Sequence, residues 1–211
     1  MLTTFSGIVG SGKSTNAKHA LRLLQDLEYP VLYLRFRFLI WRKIFQPLPV
    51  VKKGDASAPS QKKAAKISAE ENLRQQAVRT LTLWRALGYA WRILGFRFFF
   101  ALRLRRKIVV LDRFYYDNFV HYEFSGARER FYLTMLQHLM PRPDLALFFI
   151  ATPHTILQRR PHYEAEYVRQ LHQQYCKVAK EFPHLIVIPT DSFAGLTEKV
   201  TQHVRRVVAG S

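Results

Sequence analysis

Leu2-Thr3-Thr4-Phe5-Ser6-Gly7-Ile8-Val9-Gly10-Ser11-Gly12-Lys13-Ser14-Thr15 is the stretch that decides the fold. Its first five residues read as a short apolar strand. Gly7, Gly12, Lys13 and Ser14 then complete the pattern G-x-x-x-x-G-K-[ST] of a phosphate-binding loop. Glycines let successive backbone N–H groups converge on phosphate oxygens where Cβ atoms would obstruct them. A helix is expected over residues 14–27, with Ala17, Ala20, Leu21, Leu24 and Leu27 at helical spacing. It would aim its positive end at the same point. In that arrangement Gly7, Gly10, Ser11, Gly12, Lys13, Ser14 and Thr15 cradle a nucleoside triphosphate. Lys13 would bridge its β- and γ-phosphates, and the Ser14 hydroxyl would ligate Mg²⁺. A strand before the loop and a helix after it are the context that separates this motif from a chance match.

Outward from the loop, residues 31–34 form a second apolar run, so strand, loop, helix and strand open a doubly wound parallel sheet. Further strands are expected over 107–111, 145–150 and 185–188. Helices are expected over 117–139, interrupted near Ser125-Gly126, and over 155–181 and 196–208. The reading is an α/β, three-layer P-loop fold with about five parallel strands and helices on both faces. It forms a single domain over residues 1–211, with a basic loop and helix inserted at about 36–106.

The third run, Ile108-Val109-Val110-Leu111, ends in Asp112-Arg113. An apolar strand delivers Asp112 to the carboxyl edge of the sheet, where open α/β sheets bind ligands and where a P-loop needs an acid near Mg²⁺. Arg113 can hold a second phosphate by a bidentate contact. Tyr115, Tyr116 and Asp117 follow on a loop that would line an acceptor pocket.

The chain has 211 residues, 48% of them hydrophobic, which suits one α/β domain and excludes wholesale disorder. One cysteine, Cys176, excludes an internal disulfide and a cysteine-built zinc site, and fits a reducing cytosol. Met1 runs directly into the first strand, so no signal peptide is expected. The net charge of +18 is concentrated: residues 32–107 hold 18 Lys/Arg against Asp55, Glu70 and Glu71. A field of this kind favours an anionic partner, whether phosphorylated substrate, nucleic acid or acidic lipid.

Within the insert, residues 46–66 read as a loop, and Ser68 with Glu71 has capping-box spacing for a helix over 69–104. Arg74, Arg85, Arg92 and Arg103 fall on one stripe of that helix. Leu73, Ala77, Trp84, Trp91, Phe98 and Leu102 cluster on an adjacent face, expected to pack on the sheet. Arginines interrupt every apolar run before it reaches the roughly 18 residues of a membrane span. A core helix or homodimer interface with cationic cleft walls is therefore expected, and peripheral contact with an anionic membrane is the alternative.

Phe5 to Thr15 of the loop, Leu111-Asp112-Arg113-Phe114-Tyr115-Tyr116-Asp117, and Pro143-Asp144-Leu145-Ala146-Leu147-Phe148 occur in one order. Together they resemble the thymidylate kinase family of P-loop nucleoside monophosphate kinases, over about residues 1–35 and 105–210. The resemblance implies a five-stranded parallel sheet and phosphoryl transfer from ATP with Mg²⁺ to a nucleoside monophosphate, in the cytoplasm. It implies that Asp112 handles Mg²⁺ or the acceptor and that Arg113 holds the acceptor phosphate. Arg159 and Arg160, soon after Pro153, take the place of lid arginines that neutralise the transferring group. The catalytic set is then Lys13, Asp112, Arg113, Arg159 and Arg160, with Ser14 and Asp112 on the metal. Arg35, Arg37, Arg113 and Tyr116 would bind the acceptor.

Val9 departs from this pattern, standing where the family commonly carries an acid that contacts the acceptor sugar. Strand two leads into Arg35-Phe36-Arg37 rather than an acidic-proline loop, and Ile150-Ala151 lacks a further acid. Two other readings remain open. One is a membrane-surface kinase acting on a lipid-linked or sugar acceptor; the other is a nucleotide-dependent module that binds nucleic acid.

Overall fold

The computed structural model describes residues 1–35, 79–104, 107–192 and 194–210. Five strands form the central sheet: β1 (Leu2–Gly7), β2 (Val31–Arg35), β4 (Ile108–Asp112), β6 (Leu145–Ile150) and β7 (Ile186–Pro189), all paired in parallel in the order β2-β4-β1-β6-β7. β1, β4 and nearly all of β6 are buried, because helices cover both faces of a parallel sheet and leave its strands no solvated side.

Alternate residues of each strand serve opposite layers. Phe5, Val110, Leu145, Leu147 and Phe149 pack under α1 (Lys13–Asp26) and α7 (Leu196–Ala209). Ala17, Ala20 and Leu24 supply the buried stripe of α1, whereas Leu27 is exposed. On the other face Val109, Leu111, Ala146 and Phe148 pack under α2 (Leu83–Phe99), α3 (Tyr116–Phe119), α4 (Ala127–Leu139) and α6 (Ala165–Glu181). The expected helix over 155–181 is broken: α5 (Pro153–Arg159) ends at Arg160-Pro161 before α6 begins, because proline cannot continue a helix from within. The stretch 117–139 is likewise divided by β5 (Tyr122–Glu123) ahead of Ser125-Gly126.

The insert differs from expectation in two ways. Of the helix expected over 69–104, the described part begins at Leu83, and Ser68, Ala69 and Glu71 lie outside the described residues. Arg79–Thr80 is instead a short strand, β3, pairing in parallel with β5. Leu73, Arg74 and Ala77 lie outside the described residues. The second difference is the buried face. Ala86, Ala90, Ile93 and Phe96 of α2 enter the core, while Trp84, Trp91, Phe98 and Leu102 face solvent. A turn of π-helix over Phe100–Leu104 ends the element.

The order of strands sets the functional edge. From β1 the chain turns toward β2, and from β6 toward β7. The carboxyl ends of adjacent β1 and β6 therefore open the crevice where doubly wound sheets take ligands.

Candidate active site

Gly7 closes β1 with φ of +143°, and Ile8 N–H donates to the Phe149 carbonyl of β6 at 3.0 Å. A Cβ on Gly7 would collide with that same carbonyl oxygen, so the loop leaves the sheet through a gap only glycine fits. Gly10 (φ +76°) and Gly12 (φ +77°) also adopt left-handed backbone, the second immediately before α1. The Ile8 carbonyl gathers the loop: it accepts Ser11 N–H at 3.3 Å, Ser11 Oγ at 2.7 Å and Lys13 Nζ at 3.1 Å. Lys13 is thus folded back over the loop and buried. Burial first, then the positive charge of Arg113, lowers its pKa from 10.5 to about 8.

Asp112 ends β4 beside Phe5 of β1 and Arg35 of β2. The Tyr33 hydroxyl donates to its Oδ2 at 3.0 Å, and Arg35 Nε lies 3.8 Å from the same oxygen. Burial and then the Asp112 charge push the Tyr33 hydroxyl well above its usual range, so it stays a donor. Asp112 Oδ1 is buried and has no hydrogen-bond partner among the described residues. Arg113 follows with φ of +75°, and its N–H is tied to the Phe5 carbonyl at 2.9 Å. A non-glycine residue in left-handed backbone stores strain of about 1–3 kcal/mol, tolerated where surroundings over-determine it.

Asp117 joins these two segments. Its Oδ1 accepts Gly7 N–H at 3.2 Å and the Tyr175 hydroxyl at 3.1 Å, and its Oδ2 accepts Phe114 N–H at 3.2 Å. One buried carboxylate thereby fixes the start of the phosphate loop, the loop after β4, and α6 behind them. A second clamp lies across the crevice. Arg159 donates to the carbonyls of Gly10 at 3.2 Å, Thr190 at 2.7 Å and Asp191 at 3.3 Å. Asp191 Oδ1 accepts Thr152 N–H and the hydroxyls of Thr152 and Thr155, at 2.8, 2.8 and 2.9 Å. The Thr152 N–H bond is the chief reason its carboxyl stays below the usual carboxylate range. Arg160 is exposed, with its aliphatic stem beside Gly10.

Over 216 aligned residues the chain is 26% identical to a probable thymidylate kinase of Archaeoglobus fulgidus, spanning 99% of this chain and 94% of that protein. The chain is thus similar to a probable thymidylate kinase along nearly the whole of both chains. The crystal structure of thymidylate kinase from Ehrlichia chaffeensis matches with a TM-score of 0.53 at 16% identity, over 97% of this chain and 98% of that one, a likeness of fold. No family model matches. With the phosphate loop, the similarity to the archaeal protein indicates a P-loop phosphotransferase of the nucleoside monophosphate kinase type.

Most of the residues singled out in the sequence converge on one edge of the sheet. Lys13 experiences the charges of Arg113, Asp117, Asp112 and Arg35, which sets all five in one electrostatic neighbourhood. The Gly10 carbonyl accepts from Arg159, and the stem of Arg160 lies beside Gly10. Ser14 and Thr15 begin α1 beside Lys13. Arg37 lies outside the described residues. Tyr116 is a correction: its ring packs against Phe148 and Phe182, and its hydroxyl meets His184 Nε2 at 2.7 Å. His184 precedes β7, at the end of the sheet opposite the phosphate loop, so Tyr116 is a core residue pointing away from that loop.

The residues fit a Mg²⁺ ion. Mg²⁺ takes oxygen ligands, often one or two carboxylates plus substrate phosphates, rather than a full protein cage. Asp112 Oδ1 is a buried carboxylate oxygen at the loop's edge with no hydrogen-bond partner among the described residues, and the Ser14 hydroxyl is a second hard donor. The clamp role of Asp117 was not legible beforehand. Its only local signal is the three-residue spacing to Phe114 N–H, the geometry of a side chain capping its own turn.

Proposed function

We propose that the chain transfers the γ-phosphoryl group of ATP to the phosphate of a nucleoside monophosphate. The single observation that carries this reading is Asp112: buried beside the Lys13 loop, with one carboxylate oxygen committed to Tyr33 and the other without a hydrogen-bond partner among the described residues. An unpaired buried carboxylate oxygen costs free energy unless a bound group uses it. We read residues 1–211 as one catalytic domain carrying the basic insert at about 36–106.

The proposed chemistry uses this chain's residues as follows. Gly7, Gly10, Ser11, Gly12 and Thr15 shape and continue the loop whose N–H groups receive the triphosphate. Lys13 moves from the Ile8 carbonyl to the β- and γ-phosphates. A Mg²⁺ ion held by Ser14 and Asp112 would supply charge neutralisation on those phosphates. Arg113 and Arg35 orient the acceptor phosphate, with Arg37 a candidate beyond them. An acceptor oxygen then forms a bond to the γ-phosphorus as the bond to the ADP oxygen breaks, giving ADP and a nucleoside diphosphate. Arg159 keeps Gly10 docked to the loop after β7, and Arg160 supplies a mobile positive charge to the transferring group. Catalysis of this kind rests on positioning and electrostatic stabilisation, so a strong base is not required. Val9 lines the loop where an acid would grip a sugar hydroxyl, which leaves the acceptor base and sugar open.

The test is incubation of the purified protein with γ-labelled ATP, Mg²⁺ and a panel of nucleoside monophosphates. Label appearing in one or more nucleoside diphosphates supports the reading. ATP binding without transfer to any member of the panel would refute the acceptor class.

A further inference from the structure

Among the described residues β2 ends the sheet, and it pairs with β4, matching Tyr33 to Val110 and Arg35 to Asp112. Paired residues of neighbouring strands share a face, and so do residues two apart along a strand. Tyr33, Arg35, Val110 and Asp112 therefore stand on one side of the sheet, with Tyr33 diagonal to Asp112. The Tyr33 ring packs against the core layer under α1 and α7, to which Val110 belongs. From there its hydroxyl donates to Asp112 Oδ2 at 3.0 Å.

The two carboxylate oxygens of Asp112 are thereby given different tasks. Oδ2 accepts from Tyr33 and faces Arg35 Nε at 3.8 Å, whereas Oδ1 is buried with no hydrogen-bond partner among the described residues. A carboxylate free to turn about its Cβ–Cγ bond would exchange these oxygens, and binding an ion would first have to stop that rotation. The phenol stops it in advance. Arg35 is poorly suited to the task, because its side chain is 43% exposed and 3.8 Å is too long for a good hydrogen bond. Tyr33 is also a neutral donor, so it fixes the carboxylate without cancelling the charge that attracts a cation.

We propose that Tyr33 is a positioning residue for the metal site: its hydroxyl holds the Asp112 carboxylate in one orientation and leaves Oδ1 as the oxygen offered to Mg²⁺. The inference rests on the reading of Asp112 as a metal ligand and goes beyond it by naming the group that aims the ligand. Outer partners of this kind are worth about 10–100-fold in metal affinity. Tyr33 belongs at the lower end of that range, because Arg35 stays beside Oδ2 when the phenol is removed.

The experiment compares ATP affinity in Mg²⁺ and in EDTA, by isothermal titration calorimetry, for wild type, Tyr33→Phe, Asp112→Asn and the double variant. The ratio of the two affinities reports the protein's hold on the ion and needs no turnover. Tyr33→Phe removes only the hydroxyl and keeps the packing of the ring, and thermal melting checks that each variant is folded. The expected result is a ratio about tenfold lower in Tyr33→Phe than in wild type, from weaker binding in Mg²⁺ with the EDTA value unchanged. Because the hydroxyl acts through the carboxylate, the double variant should bind no more weakly than Asp112→Asn alone. A wild-type ratio in Tyr33→Phe, beside a lowered ratio in Asp112→Asn, would overturn this inference and leave the metal reading standing. Equal losses in Mg²⁺ and EDTA would overturn it too, since they mark a general change of structure. A ratio unchanged in Asp112→Asn would remove the metal reading itself, and this inference with it.

Discussion

Replacing Asp117 by alanine should uncouple the phosphate loop from the segment that follows Asp112. The carboxylate accepts three hydrogen bonds, from Gly7 N–H, Phe114 N–H and the Tyr175 hydroxyl, and the residue is buried. Each buried donor left without an acceptor costs about 1–3 kcal/mol. The three share one site and will relax together, so the expected loss for Asp117→Ala is about 3–5 kcal/mol, against a total of about 5–15 kcal/mol for a domain. Urea denaturation followed by circular dichroism measures it. Asp117→Asn should lose less, because the amide oxygen keeps two of the donors while its NH2 group confronts the third. Tyr175→Phe adds a specific check: it should cost about 1 kcal/mol in the wild-type background and almost nothing in Asp117→Ala, where its acceptor is gone. A loss below 1 kcal/mol for Asp117→Ala would refute the clamp, as would equal costs of Tyr175→Phe in both backgrounds.

Three further outcomes follow from the same geometry. Gly7→Ala should destroy nucleotide binding, and lower the melting temperature by several degrees, because its Cβ collides with the Phe149 carbonyl at left-handed backbone; a variant that binds ATP normally contradicts this. Lys13 has a depressed pKa of about 8 in the free protein, so the unfolded chain holds a proton between about pH 8 and 10.5 that the folded one lacks. Its burial therefore destabilises the nucleotide-free fold below about pH 8, and that penalty is relieved as pH rises toward 10.5. Nucleotide phosphates favour the charged lysine, so ATP affinity should fall above pH 8, by up to about tenfold per pH unit, and calorimetry in buffers of differing ionisation enthalpy should detect proton uptake. Arg159→Ala removes the bridge from Gly10 to Thr190 and Asp191 and should weaken ATP about tenfold, equivalent to about 1.4 kcal/mol, with the fold retained; unchanged affinity would mean the bridge does not shape the loop.

Much of the architecture was legible because parallel strands announce themselves. Ile108 to Leu111 and Leu145 to Ile150 are continuous apolar runs with no competing reading, and the observed strands fall within a residue or so of expectation. The glycine loop was legible because its chemistry demands both residue types and spacing. The face of α2 was misjudged for a physical reason. Periodicity reports two apolar faces on that helix, and the bulkier one, with Trp84, Trp91 and Phe98, gives the stronger signal. The face that packs uses Ala86 and Ala90, whose small side chains let the helix approach the domain yet contribute little hydrophobic pattern. Tyr116 was misplaced because neighbouring loop residues point in opposite directions once a short helix forms at Tyr116–Phe119. Asp117 and Arg159 acquire their partners across 110 and 149 positions of sequence, and no local pattern encodes such contacts.

The most direct test is a single-turnover measurement with γ-labelled ATP, Mg²⁺ and the preferred nucleoside monophosphate, comparing wild type with Lys13→Ala and Asp112→Asn. The account predicts one labelled nucleoside diphosphate per wild-type active site. It predicts a fall of about a hundredfold or more in the transfer rate for each variant, with far-UV circular dichroism unchanged. Transfer at the wild-type rate in either variant would contradict it.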